Sequence, residues 1–255
     1  LRWSAVDAAE VDNPRAYLIR TVTNLSLNRL RSAQVRRESY VGPWLPEPLL
    51  TSPDVAEEAE MAETLSMAML VVLETLSPLE RAVFMLREVF GYSYAEIADT
   101  LDRQEATIRQ TAHRAREHVQ ARRPRFDADS EQREQVTELF RAACEGGDLN
   151  GMMELLAPDV TLWSDGGGKV TAARRPLHGA DHVARWLLGT LNKPVSAGVV
   201  LEVVELNGQP GIVARFGPGG PFAGAMLLEV AAGGQVSGVR MVVNPDKFGG
   251  LEPRG

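Results

Sequence analysis

Two short motifs, sixteen residues apart, fix the starts of two helices. Ser77-Pro78-Leu79-Glu80 and Ser93-Tyr94-Ala95-Glu96 each have the pattern of a capping box, in which a serine and a glutamate bond each other's backbone amides. Apolar residues after each motif recur with helical period. A turn at Asp102-Arg103-Gln104 precedes another helix, predicted from Glu105 to Val119. A short helix, a tight turn and a second helix predict a helix-turn-helix, whose second helix enters the DNA major groove.

That second helix has a narrow apolar face and a basic outer face. Ile108, Ala112, Ala115 and Val119 lie within about 60° of one another on a helical wheel. The outer face carries groups that bond base edges, and nearby arginines are better placed for phosphates. The outer-face candidates are Thr107, Arg109, Gln110, His113 and Arg114, and the phosphate candidates are Arg103, Arg116, Arg122 and Arg123. The alternative is an ordinary helical hairpin with a basic solvent face.

Charge is segregated along the chain, although the net charge is only -7. Residues 13–37 carry six arginines and no acid, and residues 103–125 carry seven arginines against two glutamates. Six acidic residues lie in 47–63, and residues 126–255 carry 16 acidic against 11 basic residues. The basic segments predict binding to nucleic-acid phosphates, and the acidic segments could shield them. The alternative is that these charges are only solvated faces.

Residues 38–53 are predicted to be a linker. Four prolines within eleven residues, from Pro43 to Pro53, exclude the interior of a helix. The apolar content is high for a free tether, so we expect the linker to lie against a protein surface. The apolar residues are Tyr40, Trp44, Leu45, Leu49 and Leu50.

The pattern changes after residue 126, where strand-like runs separated by Gly and Pro begin to dominate. This order predicts an α+β domain with a mostly antiparallel sheet curled over helices. Helices are predicted over 130–145, 148–156 and 180–191, and strands over 160–164, 169–173, 198–206, 211–216, 222–230 and 235–243. The single cysteine, Cys144, excludes a disulfide framework and a cysteine zinc cluster, and we expect no metal and no cofactor. No membrane span or signal peptide is apparent, which favours a cytoplasmic location.

Several motifs together resemble the extracytoplasmic-function sigma factors of bacterial RNA polymerase. Residues 76–84, 94–98, 107–110 and 113–116 look like region 4 of that family, and residues 13–18 and 24–31 look like the end of region 2. Residues 44–49, 165–169 and 244–247 match the subgroup that carries a SnoaL-like C-terminal extension. In order along one chain, these motifs are specific and cover its whole length.

The resemblance implies a multidomain fold, with all-α sigma regions followed by a cone-shaped α+β SnoaL-like domain. The implied parts are 1–37 (partial region 2), 38–53 (linker), 54–125 (region 4 with the helix-turn-helix) and 126–255 (SnoaL-like regulatory domain). Region 2 of the family begins well before Leu1, so an N-terminally truncated chain is expected. Core RNA polymerase and promoter DNA are the implied partners, with region 4 on the upstream promoter element. Downstream recognition is implied to end at Asn24, Asn28, Arg29 and Arg31.

The resemblance also implies that the C-terminal domain regulates the sigma regions in cis. A linked domain acts at high effective concentration, so weak contacts suffice. The expected contact residues are Trp44, Leu45, Pro46, Glu47, Pro48, Asp165, Gly166, Gly167, Gly168, Lys169, Asn244, Pro245, Asp246 and Lys247. For the last four, the alternative is a plain turn initiated by Asn-Pro.

SnoaL-like domains enclose a pocket, and this one is a candidate site for a small-molecule ligand. The expected lining is Trp163, His178, His182 and Trp186, with Asp165, Lys169 and Met226 as further candidates. An enzymatic alternative makes Asp165 a general base with His178 as its partner. The favoured prediction is no enzyme and no catalytic residue, because an Asp heading a glycine turn commonly bonds its own backbone. Two other functions stay open: a ligand-responsive operator-binding dimer that does not need polymerase, and a SnoaL-like enzyme joined to a DNA-binding module.

Overall fold

The computed structural model describes residues 13–38, 40–51, 66–122 and 128–251, except for the side chains of 33–38 and of Arg122. The chain divides into two compact units, Leu1–Ser39 with Val72–Arg123 and Tyr40–Val71 with Pro124–Gly255. We call them the helical unit and the sheet unit. The first is all-α and the second is α+β, which confirms the predicted fold class. None of the helices in the described part of the chain is both long enough and apolar enough to cross a membrane.

The helical unit is built from helices that start at the predicted caps. Its elements are α1 (Pro14–Glu38), the part of α2 (Met67–Glu74) from Val72 onwards, α3 (Pro78–Phe84), a π-helical turn (Met85–Val89), α4 (Tyr94–Leu101) and α5 (Glu105–Arg122). Both capping boxes form: the Ser77 hydroxyl accepts from the Glu80 amide and the Glu80 carboxylate accepts from the Ser77 amide, and Ser93 and Glu96 do the same. Each reciprocal pair satisfies two amides that the first turn of a helix leaves free.

The helix-turn-helix comprises α4 and α5. Asp102 ends α4 in the left-handed conformation, with φ 53°, which a short polar residue tolerates better than most. Ile108 and Ala112 of α5 pack with Val83, Leu86 and Ile97 from the preceding elements. Ala115 and Val119 are buried as well, so the narrow apolar face of α5 is the one that the sequence predicts.

Two details of the helical unit differ from the sequence prediction. Helical period places Leu18, Val22 and Leu25 on one side of α1, yet this apolar side is not buried, since Val22 and Leu25 are 48% and 55% exposed. The buried residues of α1 are Thr23 and Leu27, because α1 packs against α3 and α4 through a different face.

The apolar period after the first capping box places Phe90 inside, yet this side chain is 62% exposed. The cause is the π-helical turn, in which the Phe90 amide bonds the Met85 carbonyl five residues back. One extra residue in a turn rotates every later side chain away from its expected face.

In its described residues from 128 to 251, the sheet unit contains three α-helices, three short 3-10 helices and a six-stranded sheet. Its elements are α6 (Ser130–Gly146), α7 (Leu149–Leu155), β1 (Leu156–Asp165), β2 (Leu177–His178), α8 (Ala180–Leu191), β3 (Val199–Leu206), β4 (Gln209–Phe216), β5 (Phe222–Val230) and β6 (Val236–Val242). The sheet order is β2-β1-β6-β5-β4-β3. Every neighbouring pair is antiparallel except β1 with β6, which is parallel.

The predicted strand over 169–173 is wrong. Gly167 and Gly168 have positive φ and form a turn, in which the Lys169 amide bonds the Gly166 carbonyl. The chain then runs without strand pairing until β2 at Leu177–His178. The glycine turn breaks the period-2 pattern that the apolar residues suggest.

The central strands are buried on both faces. Met226 and Leu228 of β5 point to the main core, with Phe140 and Leu187 from the helices. Ala225 and Leu227 alternate with them and pack with Met67, Leu206, Val213 and Leu251 in a second core. Strand alternation therefore explains why β5 is apolar along nearly its whole length.

Cys144 lies in α6 and is buried in the main core. Burial raises the pKa of its thiol to about 12, because the thiolate would lose hydration there. The residue is a packing side chain with little thiolate character.

Candidate nucleic-acid interface and linker contacts

The outer face of α5 carries exposed polar and basic side chains. Thr107, Arg109, Gln110, His113 and Arg114 are all exposed, because the stripe from Ile108 to Val119 turns them outward. Arg103 is exposed in the turn before α5. This face can present guanidinium, imidazole and amide groups to a DNA groove, while its apolar stripe fixes the orientation of the helix.

Most of these basic side chains form ion pairs with acidic neighbours. Arg109 bonds Glu105 at 2.9 Å and 2.6 Å, and its guanidinium lies 5.2 Å from the ring centre of Tyr94. Arg116 lies 2.7 Å from Glu88. Exposed ion pairs contribute little free energy, so phosphates can replace the carboxylates at small cost.

Two further pairs complete this pattern. Arg114 Nε lies 3.6 Å from Glu80, and His113 Nε2 lies 3.5 Å from Glu117. These acidic partners are not among the residues predicted from the sequence. The i,i+4 pairs Glu105–Arg109 and His113–Glu117 have a readable spacing. The pairs made by Glu80 and Glu88 depend on the packing of α3 and the π-helical turn against α5. The Arg122 side chain and Arg123 lie outside the described residues.

The region 2 candidates lie on α1. Asn13 caps this helix, its side chain accepting from the Ala16 amide at 3.1 Å. Asn24, Asn28, Arg29 and Arg31 are exposed along the helix. Their role in DNA recognition stays a prediction.

The second half of the linker runs along the sheet unit, as its apolar content predicts. The Asn207 amide donates to the Leu49 carbonyl at 2.9 Å, and the Leu49 amide donates to Asn207 Oδ1 at 3.1 Å. The Leu50 amide bonds the Gly250 carbonyl and the Thr51 amide bonds the Glu205 carbonyl. These main-chain bonds lay the linker along the β3–β4 hairpin like an added strand.

Asp165 is the centre of a second group of linker contacts. Its carboxylate is fully buried at the end of β1. It accepts from the Tyr40 hydroxyl, from the Leu45 amide at 2.8 Å and from the Gly167 amide at 3.2 Å. It also forms an ion pair with Lys247, whose Nζ lies 2.7 Å away. Four donors meet the requirement that a buried charge be paired and hydrogen-bonded.

Lys247 and Asn244, which follow β6, also bind the linker. Lys247 Nζ donates to the Leu45 carbonyl and lies 3.5 Å from the ring centre of Trp44. Asn244 Nδ2 donates to the Tyr40 hydroxyl oxygen at 2.8 Å. The rings of Tyr40 and Trp44 meet edge to face at 4.6 Å. We call these contacts the linker dock, formed by Tyr40, Trp44, Leu45, Asp165, Asn244 and Lys247.

The remaining residues of the three motifs lie around the dock. Pro46 and Pro48 are buried, while Glu47 and Pro245 are exposed. Lys169 and Asp246 form an exposed ion pair at 2.5 Å. The Asn-Pro turn predicted as an alternative does form, since Asn244 Oδ1 accepts from the Asp246 amide.

The glycines of the second motif allow this close approach. A Cβ on Gly167 would lie 2.3 Å from the Asn244 amide nitrogen, and one on Gly166 would lie 2.7 Å from Ala172. Gly167 also has φ 59°, which disfavours a side chain. The contact of Asn207 with the linker could not be predicted from the sequence, because Asn207-Gly208 is typical of an ordinary hairpin turn.

Removing the indole from the dock should free the linker. Trp44→Ala deletes the edge-to-face contact and the cation–π contact, together on the order of 1–3 kcal/mol. We expect limited proteolysis between residues 38 and 53 to become about tenfold faster. Glu47→Ala is the matched control, since Glu47 is an exposed linker residue outside the dock. An equal digestion rate for Trp44→Ala and wild type would contradict a docked linker.

The Tyr40 phenol makes the dock sensitive to alkaline pH. Burial raises its pKa above the ordinary value, and the hydrogen bond to Asp165 raises it further. A raised pKa means that the neutral phenol stabilises the fold below about pH 10, and that this contribution is lost as pH rises. The stability advantage of wild type over Tyr40→Phe should therefore shrink between about pH 9 and 11 in urea unfolding. A constant difference across that range would show that the pKa of Tyr40 is the same in the folded and the unfolded protein, and would contradict its burial in the dock.

The sheet unit also contains an apolar cavity of about 380 Å³. Its walls include Leu187, Leu201, Ile212 and Met241 from α8 and the sheet. Lys169 and Met226, named from the sequence, line it as well.

None of the four principal pocket candidates, Trp163, His178, His182 and Trp186, lines this cavity. Trp163 alternates with core-facing Leu162, so it points to the opposite face and stacks under Arg240 at 4.3 Å. His182 is on the exposed side of α8, and Trp186 packs at the edge of the core.

The geometry does not assemble the Asp165–His178 acid–base pair. His178 Nδ1 lies 3.1 Å from the Thr161 hydroxyl on the exposed β1–β2 edge. Asp165 is buried, and its oxygens accept from the linker, the glycine turn and Lys247. The arrangement gives this carboxylate a structural role.

Comparisons with known proteins agree with the motifs. Residues 66–119 match the family model Sigma-70, region 4. The "ECF RNA polymerase sigma factor SigJ" of Mycobacterium tuberculosis is 37% identical over 260 residues, which cover 98% of this chain and 83% of that protein. The "Probable ECF RNA polymerase sigma factor SigI" of the same species is 32% identical over 92% of this chain and 79% of that protein. The crystal structure of M. tuberculosis SigJ superposes with a TM-score of 0.72 at 32% identity, covering 97% of this chain and 87% of that one.

Proposed function

The chain belongs to the extracytoplasmic-function sigma factors of RNA polymerase, and from this we propose that its C-terminal domain regulates it in cis by holding the linker. As a sigma factor, the protein directs core RNA polymerase to promoters, and its partners are core RNA polymerase and promoter DNA. This identity supports the sigma function over the polymerase-independent regulator.

In region 4, we assign recognition of the upstream promoter element to the outer face of α5. This assignment is supported by the exposure of the side chains of Arg109, Gln110, His113 and Arg114. Arg103 and Arg116 flank them and suit phosphates. On α1, the exposed group from Asn24 to Arg31 suits the downstream element.

For the C-terminal domain, one observation carries the regulatory proposal: the buried Asp165–Lys247 pair bonds both the amide and the carbonyl of Leu45. A linker held in this way cannot take another path without exposing or unpairing a buried charge, which is costly. Because the holding domain is on the same chain, its effective concentration is high without a separate inhibitor. The domain would act by binding rather than by turnover.

The proposal includes a small-molecule ligand in the cavity of the sheet unit. A cavity of about 380 Å³ lies within the range of small-ligand sites. A ligand shifts the linker equilibrium only as far as its affinity differs between the docked and free arrangements. The proposed role places the protein in the cytoplasm, where bacterial RNA polymerase works.

Run-off transcription tests the assignment of region 4. DNA fragments selected for binding would be transcribed with mycobacterial core polymerase, with and without the protein. We expect a specific transcript only when both are present, and its loss when the upstream element is scrambled. Tight binding to a palindrome without polymerase, with no transcript from any selected fragment, would contradict the assignment.

A further inference from the structure

Two cavities of different character lie side by side in the sheet unit. The first is the apolar cavity of about 380 Å³, whose rim includes the exposed side chains Val195 and Phe216. The second, of about 470 Å³, has polar walls that include Ser164 and Arg174. Residues 169–171 line both. A single molecule with an apolar part and a polar part would match the two environments.

Ser164 indicates that a polar group belongs in the second cavity. Its side chain is 1% exposed, and its hydroxyl has no hydrogen-bond partner in the described part of the chain. On β1 it follows Leu162 on the core-facing side, and it pairs with Met241, which lines the apolar cavity. A buried hydroxyl without a partner costs free energy, so an acceptor or donor from a ligand would be favourable here.

The charge around the second cavity favours an anion. Lys169 and Arg174 both line it. Lys169 is paired with Asp246, whereas Arg174 is exposed and makes no ion pair within the described ranges. Asp165 and Lys247 nearby cancel each other. One positive charge is therefore left over, on a guanidinium that suits carboxylate or phosphate oxygens.

The linker forms part of the same cavity. Val41 and Gly42, the two residues that follow Tyr40 of the dock, line it. Gly42 has φ 86°, and a Cβ there would lie 3.7 Å from Arg174 Cα. A molecule in this cavity would touch the linker directly and add contacts to its docked path.

We propose that the sheet unit binds an amphipathic anion, with an aliphatic chain in the apolar cavity and a carboxylate or phosphate group beside Ser164, Lys169 and Arg174. The bound anion stabilises the docked linker. The effect on the linker rests on the proposed regulatory function, whereas the binding itself does not.

Calorimetric titration of the whole chain tests the binding. The probes are decanoate and decyl phosphate, below their micelle concentrations, with decanol, decyltrimethylammonium and acetate as controls. We expect saturable binding of at least one anionic probe, about tenfold tighter than decanol. The tighter of decanoate and decyl phosphate identifies the headgroup. No saturable binding of either, or equal binding of decanol, would overturn the proposal.

Two arginines provide a matched pair of variants. Arg174→Glu should weaken anion binding about tenfold or more, whereas Arg175→Glu should not, because Arg175 is exposed and lines neither cavity. Ser164→Ala should weaken binding without lowering the melting temperature of the free protein, because its hydroxyl has no partner to lose. Equal effects of the two arginine variants would overturn the headgroup site.

Limited proteolysis with the tighter probe tests the effect on the linker. We expect cleavage between residues 40 and 51 to slow when the probe is bound. Confirmed binding with an unchanged cleavage rate would overturn the link from ligand to linker. These measurements contain no polymerase or DNA, so failure of the regulatory function in transcription would leave their results unchanged.

Discussion

Asp165→Asn is expected to lower the free energy of unfolding of the sheet unit by about 3–5 kcal/mol, because it leaves the Lys247 ammonium buried without a counter-charge. The side chains of this pair are 0% and 5% exposed. Asparagine keeps the size of the side chain, so the loss reports charge rather than a cavity. The Tyr40 and Leu45 bonds to the carboxylate also weaken, which frees the linker.

Urea unfolding followed by circular dichroism measures this loss. The matched control is Lys169→Met, which removes the exposed pair with Asp246, 53% and 61% exposed, and should cost less than about 1 kcal/mol. Adding Lys247→Met to Asp165→Asn should restore part of the stability, since no charge then remains buried. Equal losses for the buried and the exposed pair would contradict the role given to Asp165.

Arg109→Ala is expected to weaken binding to the upstream promoter element by about 1–3 kcal/mol if its guanidinium reads a base edge. Arg109 lies on the outer face of α5 near the start of the helix, and its side chain is 64% exposed. Its bond to Glu105 holds the guanidinium beside Tyr94. From this position the Arg109 side chain can rotate towards a DNA groove.

Fluorescence anisotropy at one fixed salt concentration compares the cognate element with variants changed at single bases. The matched control is Arg103→Ala, which should weaken binding equally on all sequences and reduce the salt slope by about one. An equal loss on every sequence for Arg109→Ala would make Arg109 a phosphate contact instead.

Much of the helical unit could be predicted because its helix starts and its buried faces depend on residues close together in the sequence. The reciprocal bonds of Ser77 with Glu80 and of Ser93 with Glu96 join residues three apart. The buried stripe of α5 follows from helical period alone. The inner face of α1 could not be predicted, because it depends on which partners the helix meets. The exposure of Phe90 follows from a π-helical turn that the sequence does not mark.

The sheet unit shows the same difference between local patterns, which could be predicted, and long-range contacts, which could not. The limits of β3 to β6 are near those that period-2 patterns predict, whereas the cavity lining requires knowing which face of β1 each residue takes. Trp163 was placed on the wrong face for this reason. The bonds of Asp165 to Tyr40, Leu45 and Lys247 join residues 82 to 125 positions apart, which no spacing rule reveals. The glycine-turn motif and the Asn-Pro motif correctly identify two segments that contact the linker. Only the fold shows that Tyr40 is the linker residue bonded by Asp165 and Asn244.

The central claim is that the docked linker controls sigma activity, and run-off transcription with core polymerase tests it most directly. Wild type, Trp44→Ala and Glu47→Ala would be compared at equal concentration on one promoter, after proteolysis has shown that only Trp44→Ala frees the linker. The transcript level should change several-fold for Trp44→Ala and stay at the wild-type level for Glu47→Ala. Equal transcript from all three proteins, with the linker of Trp44→Ala shown to be free, would contradict regulation through the linker.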